Sequence, residues 1–441
     1  MARLQRTLSL GAVVLFGIAY MTPTVVLATF GILATSTNGM VPAAYLAALV
    51  PMFFTALSYG HMAAAFPVAG SAYSYVRKAI SPKLGFLAGW AVLLDYLFLP
   101  MAIWLIGAAY LGSAFPSIPQ PVWVLAFIII TSVINIVGLK LANKVSALLM
   151  LIQMLVLVAF VVLCIHYIGG DASTPLWTLK PFFSGDMKLP MIMGGSAIAC
   201  YSFLGFDAVS TMTEETRDPV RTIPRAIMLI TLIGGLTFIV VSYFVQLAHP
   251  SIVFENSDSA AYEIAKNIGG DLFVSFFMIG MVVGQFASGL AAQASGSRLL
   301  YAMGRDGVLS TSFFGRVSER FGTPVNSIVL CGVVALMALK LDVTTSTSFI
   351  NFGAFLAFTL VNVSVIFHYW IGAKNRGLRE AVLFLIFPLI GAAACLWLMA
   401  SLDKMAITLG LGWLAIGCVY LAWLTGGFRR QPPEMDFQEA A

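Results

Sequence analysis

Polar residues along this chain are sparse and clustered, and the intervals between clusters are apolar runs of about 20 residues or more, each long enough to cross a hydrocarbon core as a helix. Twelve such runs are predicted, over 9–35, 40–66, 84–113, 122–139, 145–168, 190–213, 225–249, 270–302, 325–342, 346–371, 381–400 and 405–425. The first passes directly into further spans without a small-residue cleavage site and therefore reads as a span, not a leader. The longest polar stretches, 169–189, 250–271 and 304–323, are too short to separate soluble domains, so one membrane domain is expected over 1–428. Loops 70–83 and 306–321 alternate charged and aromatic positions at helical spacing and are expected to be interfacial helices. The tail 429–441 is polar, contains proline and ends acidic, a composition that predicts disorder.

Composition agrees with this pattern. With 60% hydrophobic and 10% charged residues and a mean hydropathy of +0.95, the chain lacks the polar surface of a soluble enzyme or soluble binding module, and a bilayer must be its solvent. The basic residues orient it. If the loops alternate sides, one side holds only Lys180, Lys188, Lys266, Lys340 and Lys404, while the remaining 19 of the 24 Lys and Arg lie on the other. That bias, with an even span count, predicts that both termini are cytoplasmic. The net charge of +5 resides in those short loops and calls for no nucleic-acid partner. The five cysteines have neither disulfide nor metal-ligand spacing, and no cofactor is expected.

Two spans have interrupted interiors. One reads Gly17-Ile-Ala-Tyr20-Met21-Thr22-Pro23-Thr24 and the other Ser202-Phe203-Leu-Gly205-Phe206-Asp207, five spans later. That interval suits two inverted five-helix repeats, here about 9–168 and 190–371, whose first helices break near the midplane and free backbone groups to bind substrate and ion. A Pro or Gly kink in an ordinary packed helix would give the same local strings.

An ionised carboxylate at a helix centre costs about 2.5–3.5 kcal/mol on insertion scales, so Asp95 in the third span and Asp207 at the second break need a reason to exist. Asp207 is the stronger candidate to pair with an ammonium, exchange a proton or hold the break. For Asp95, a hydrogen bond to a neighbouring helix is the expectation ahead of substrate contact, and His61 is a third titratable candidate for proton coupling. Glu214, Glu215 and Arg217, in a short loop after the sixth span, suggest a cytoplasmic gate; a solvated loop has the same composition. Gln285, Ser288 and Asn351 are polar enough to line a cavity, and Tyr20, Trp104, Tyr110, Phe203 and Phe206 to wall it. An aspartyl-protease dyad of Asp95 and Asp207 is disfavoured, since the local strings are Asp95-Tyr96 and Gly205-Phe206-Asp207.

These segments resemble a known family. Phe66-Pro-Val-Ala-Gly-Ser-Ala-Tyr73, Leu93-Leu-Asp95-Tyr-Leu-Phe-Leu-Pro100, Ser202-Phe-Leu-Gly-Phe-Asp207-Ala-Val209, Ser297-Arg-Leu-Leu-Tyr-Ala-Met-Gly-Arg-Asp306 and Ile350-Asn-Phe-Gly353 are similar to those of the amino acid–polyamine–organocation transporters. The Leu-Leu-Asp-Tyr-Leu-Phe-Leu-Pro string points to the branch containing bacterial putrescine importers. The resemblance implies an all-α protein of the inner membrane with 12 transmembrane helices, a 5+5 inverted-repeat core and two peripheral helices over 381–425. It also implies alternating access, with a site between spans one, three, six, eight and ten that includes Tyr20, Met21, Thr22, Thr24 and Gly205, and with Tyr110 matching a tyrosine associated with putrescine recognition. The expected function is proton-coupled import of a small organic amine; the alternative is an amino acid importer or exchanger. No oligomeric state is implied. Two positions depart from the pattern: Ala28 stands where putrescine importers carry an aspartate, and Gln153 where some proton-coupled carriers carry a lysine.

Overall fold

A computed structural model describes residues 8–68, 71–137, 143–170, 175–185, 187–213, 215–374 and 376–434, with the side chains of 143–149 outside the description. Helices account for most of it, because in lipid only intra-helical hydrogen bonding satisfies every backbone group of an isolated span. Among the described residues the one β-type pairing is an isolated parallel bridge between Leu8 and Thr216.

Among the described residues, eleven helices are long and apolar enough to cross a membrane: α1 (Leu10–Ala28), α2 (Val41–Ala65), α3 (Pro82–Ala114), α4 (Gln120–Val137), α5 (Asn143–Gly169), α6 (Leu189–Met212), α7 (Pro219–Ala248), α8 (Ser257–Arg305), α10 (Val343–Gly372), α11 (Leu378–Ala400) and α12 (Lys404–Leu424). A shorter apolar helix, α9 (Val325–Leu339), occupies the ninth predicted run and tightens into 3₁₀ geometry over its last turn. Helix starts follow local chemistry. Ser9, Ser81, Asp342 and Asp403 each accept a hydrogen bond from the backbone N–H three residues on, a cap typically worth about 1 kcal/mol.

Packing follows a pattern that repeats at an interval of five helices. The most extensive contact is α2 with α7, followed by α3 with α8; α1 packs on α7 as α6 does on α2, and α5 packs on α8 as α10 does on α3. Small residues allow these approaches: a Cβ added at Gly353 of α10 or Gly296 of α8 would fall closer than 3 Å to a backbone oxygen of α3, at Ala91 and Tyr96 respectively. α12 joins α3 through a reciprocal pair in which Trp90 Nε1 donates to Trp413 O and Trp413 Nε1 to Trp90 O, both at 2.9 Å, with the rings stacked at 4.9 Å.

Two expectations are corrected. Segment 71–79 is a helix (Ser71–Ala79), but 306–321 is a succession of turns, with Gly307 in left-handed backbone and Ser310 spent on local hydrogen bonds. The eighth predicted span, 270–302, matches the helix that follows Gly270, whose φ 67° and ψ −168° are non-helical and separate it from a preceding helix that begins at Ala260. The tail is ordered as far as Glu434: Lys83 donates to Phe428 O at 2.6 Å, and Arg77 pairs with Glu434 at 3.5 Å. Residues 435–441 lie outside the described part.

Candidate functional site

The site is organised by the two interruptions. α1 runs helically to Met21, turns through Thr22 in left-handed conformation (φ 50°), passes Pro23, which has no N–H to donate, and resumes over Val25–Ala28. α6 runs as an α-helix to Ala199, tightens to 3₁₀ over Cys200–Phe203, opens at Leu204–Asp207 with Gly205 at φ 108°, and continues as 3₁₀ over Ala208–Met212. The breaks meet. The ring of Tyr20 lies so close over Gly205 that any Cβ there would fall within 3 Å of it. Tyr45 of α2 ties both broken helices together, its hydroxyl 3.1 Å from Thr29 Oγ1 and 3.0 Å from Ser202 Oγ.

Around this junction two carboxylates and a set of tyrosines converge. Asp207 sits against the backbone N–H groups of Gly205, Ala208 and its own residue. Asp95, on α3, lies within electrostatic reach of Asp207, and Tyr20 within reach of both carboxylates and of the Tyr96 hydroxyl. Tyr201 faces Asp95, and Tyr59 and Tyr75 face Asp207. The helix-to-helix hydrogen bond expected for Asp95 is not made by its Oδ1, which is buried without a partner among the described residues. The hydroxyls of Tyr75 and Ser210 lie within reach of each other, and that of Tyr59 lies beside Ser71. Buried polar atoms are nearly always satisfied in proteins, so the unpartnered Oδ1 of Asp95 is a candidate point for a ligand or water to complete the bonding.

The other candidates fall elsewhere. Met21 packs on Gly234 of α7, and Phe203 makes an edge contact with Phe238 at 5.4 Å on the same helix. Phe206 packs between Tyr59 and Phe358. Thr22 spends its hydroxyl on carbonyls of its own turn, and Thr24 donates to Gln153 Oε1 of α5 at 3.2 Å. Gln153 also abuts Gly284 of α8, so the departure from lysine leaves a neutral amide joining α1, α5 and α8. Tyr110 donates to Leu27 O at 2.9 Å, in the segment Val25–Ala28 that follows the break in α1. Trp104 lies against Gly289 with its Nε1 unpartnered, one residue beyond Ser288, and Gln285 is buried beside Gly107. Asn351 donates to Ala197 O at 2.7 Å, tying α10 to α6 just before the break. His61 packs on Tyr369 and Phe384, apart from the carboxylates.

At the proposed gate, Glu214 lies outside the described residues. Glu215 and Arg217 act through backbone: Leu8 N–H donates to Glu215 O and Arg217 N–H to Leu8 O, both at 3.0 Å. The ion pair found in that loop is Asp218–Arg221, exposed and 3.8 Å long.

Tyr59, Tyr75, Tyr96 and Tyr201 were missed as site neighbours. The available signal was a tyrosine adjacent to an intramembrane acid, as in Asp95-Tyr96; the other three arrive from distant parts of the chain.

Comparison with known proteins gives a consistent result. The amino acid permease family profile matches residues 8–428. The chain is 41% identical to the low-affinity putrescine importer PlaP of Escherichia coli K12 over 98% of its own length and 96% of that protein. It is 27% identical to a methylthioribose transporter and 26% identical to the branched-chain amino acid permease BcaP, both of Bacillus subtilis, each alignment covering 94% of this chain and 92% of the relative.

Proposed function

Since the chain belongs to the amino acid permease family, we propose that it imports a small organic amine, putrescine or a related diamine first, across a bacterial inner membrane by alternating access. It is a multi-pass membrane transporter, not an enzyme. The observation that carries the substrate reading is the junction of Asp207, Asp95 and Tyr20, an anionic group rimmed by aromatic rings. A carboxylate supplies a charge-assisted hydrogen bond to an ammonium, and a ring face adds about 0.5–2 kcal/mol of cation–π attraction. Near-full-length identity to a putrescine importer supports the same class.

In this reading the chain has twelve spans, α9 included, with α1–α5 and α6–α10 as inverted repeats and α11 and α12 peripheral. The contact pattern supports it, because exchanging each helix of the first five with its counterpart five positions on converts α1–α7 into α6–α2 and α5–α8 into α10–α3. The basic-residue bias supports cytoplasmic termini. Protons are the coupling ion, with His61, which packs on Tyr369 and Phe384, as a candidate carrier beside the two carboxylates, and the neutral Gln153 has no proton to give. The loop of Glu214, Glu215 and Arg217 forms the cytoplasmic gate, with its backbone clasp on Leu8 opening when α6 moves.

An amino acid substrate is the second reading, favoured by Ala28, which is buried and apolar, and by the permease relatives. Uptake of labelled putrescine into proteoliposomes, with and without an inward proton gradient, separates the two. Accumulation blocked by diamines supports the first; block by amino acids without putrescine flux supports the second. Asp207→Asn abolishes uptake if this acid pairs or titrates, and unchanged uptake removes it from the mechanism.

A further inference from the structure

We propose that Asp95 is the second anionic partner of the transported diamine, so that Asp95 and Asp207 each take one ammonium group. The inference rests on the amine-import reading and deepens it by assigning the site to dications. A buried dication requires two countercharges, because an unpaired ion in a low-dielectric interior is strongly disfavoured. Ala28 supplies none. Asp207 supplies one, and its remaining lone pairs are already directed at backbone N–H groups of the α6 break. Asp95 supplies the other and is the group with bonding capacity to spare, since Oδ1 is buried and unpartnered.

The two carboxylates also stand on different parts of the molecule. α3, which carries Asp95, packs chiefly on α8 and α10, whereas α6, which carries Asp207, packs chiefly on α2. A ligand held by both bridges two helix groups, while a monoamine held by one does not. Two-point recognition of this kind discriminates by charge and by chain length, because the shorter or singly charged analogue leaves one carboxylate unpaired.

The test is inhibition of labelled putrescine uptake in proteoliposomes by propane-1,3-diamine, pentane-1,5-diamine and 1-butylamine. In the wild-type protein 1-butylamine competes roughly 10–100-fold more weakly than unlabelled putrescine, the loss of one charge-assisted hydrogen bond. In Asp95→Asn the gap closes to about 3-fold or less, because only one charged anchor remains. Putrescine and 1-butylamine competing equally in the wild type overturns the assignment without any variant, as does a gap that persists in Asp95→Asn. Failure of the parent reading looks different, since the wild-type protein then shows no putrescine uptake to inhibit. Should Asp95→Asn not reach the membrane, Asp95→Glu decides: its carboxylate reaches one methylene further, and a length preference moved toward propane-1,3-diamine supports the proposal, while an unmoved one overturns it.

Discussion

Replacing Gly205 by alanine separates the geometry of the break from its chemistry. Gly205 adopts φ 108°, a conformation L side chains rarely take, and an alanine held there costs about 1–3 kcal/mol in backbone strain. The added Cβ would also fall within 3 Å of the Tyr20 ring, so the ring must leave its place between the two breaks. If the strain falls on the transport-competent arrangement alone, that arrangement loses population by about 5–150-fold, and apparent substrate affinity falls by the same factor. The assay is initial-rate uptake over a range of substrate concentrations, paired with melting of the purified protein in detergent. Gly205→Ala should remain monodisperse yet show the affinity loss, and adding Tyr20→Ala should return the steric part of any fall in Tm while leaving the backbone part. A variant with wild-type uptake and Tm refutes the claim that the Tyr20–Gly205 contact organises the site.

Two further outcomes test the joints that hold the frame. Trp413→Phe keeps the stack on Trp90 but removes one hydrogen bond, lowering stability by about 0.5–1.5 kcal/mol, whereas Trp413→Ala also removes the ring and costs about 3–5 kcal/mol; equal Tm values for the two variants contradict the reciprocal geometry. Gln153→Ala and Thr24→Val should each cost about 1–3 kcal/mol, and the double variant no more than the worse single one, read as Tm; strict additivity of the two losses shows that the hydrogen bond does not couple α1 to α5.

The parts of the site set by local chemistry were legible in the sequence. Pro23 and Gly205 announce breaks because one lacks a donor and the other tolerates positive φ, and Asp95 and Asp207 stand out because a carboxylate in an apolar run is costly. What a span faces was much less legible. Met21 and Phe203 turn toward α7 although they adjoin the breaks, since a helix apolar all round carries no stripe to fix its rotation. Tyr59 and Tyr75 enter the junction from α2 and from the helix Ser71–Ala79, contacts between segments more than a hundred residues from Asp207, and nothing distinguishes them locally from other aromatic residues in the chain. The turns of 306–321 defeated a helical reading because charge and aromatic spacing cannot see the backbone demanded by Gly307.

The neutral amide at the meeting point of α1, α5 and α8 has an electrical consequence. On the two-carboxylate proposal, and with Gln153 in place of a cation, nothing at that joint offsets Asp95 and Asp207, so an empty carrier with both ionised is anionic at its centre, and one loaded with a dication is near neutral before the coupled proton is counted. Each elementary charge that crosses the full membrane field exchanges about 2.3 kcal/mol per 100 mV. On that proposal an inside-negative voltage acts on the returning, unloaded protein, driving it to face outward again, and acts on the loaded inward step only through the coupled proton.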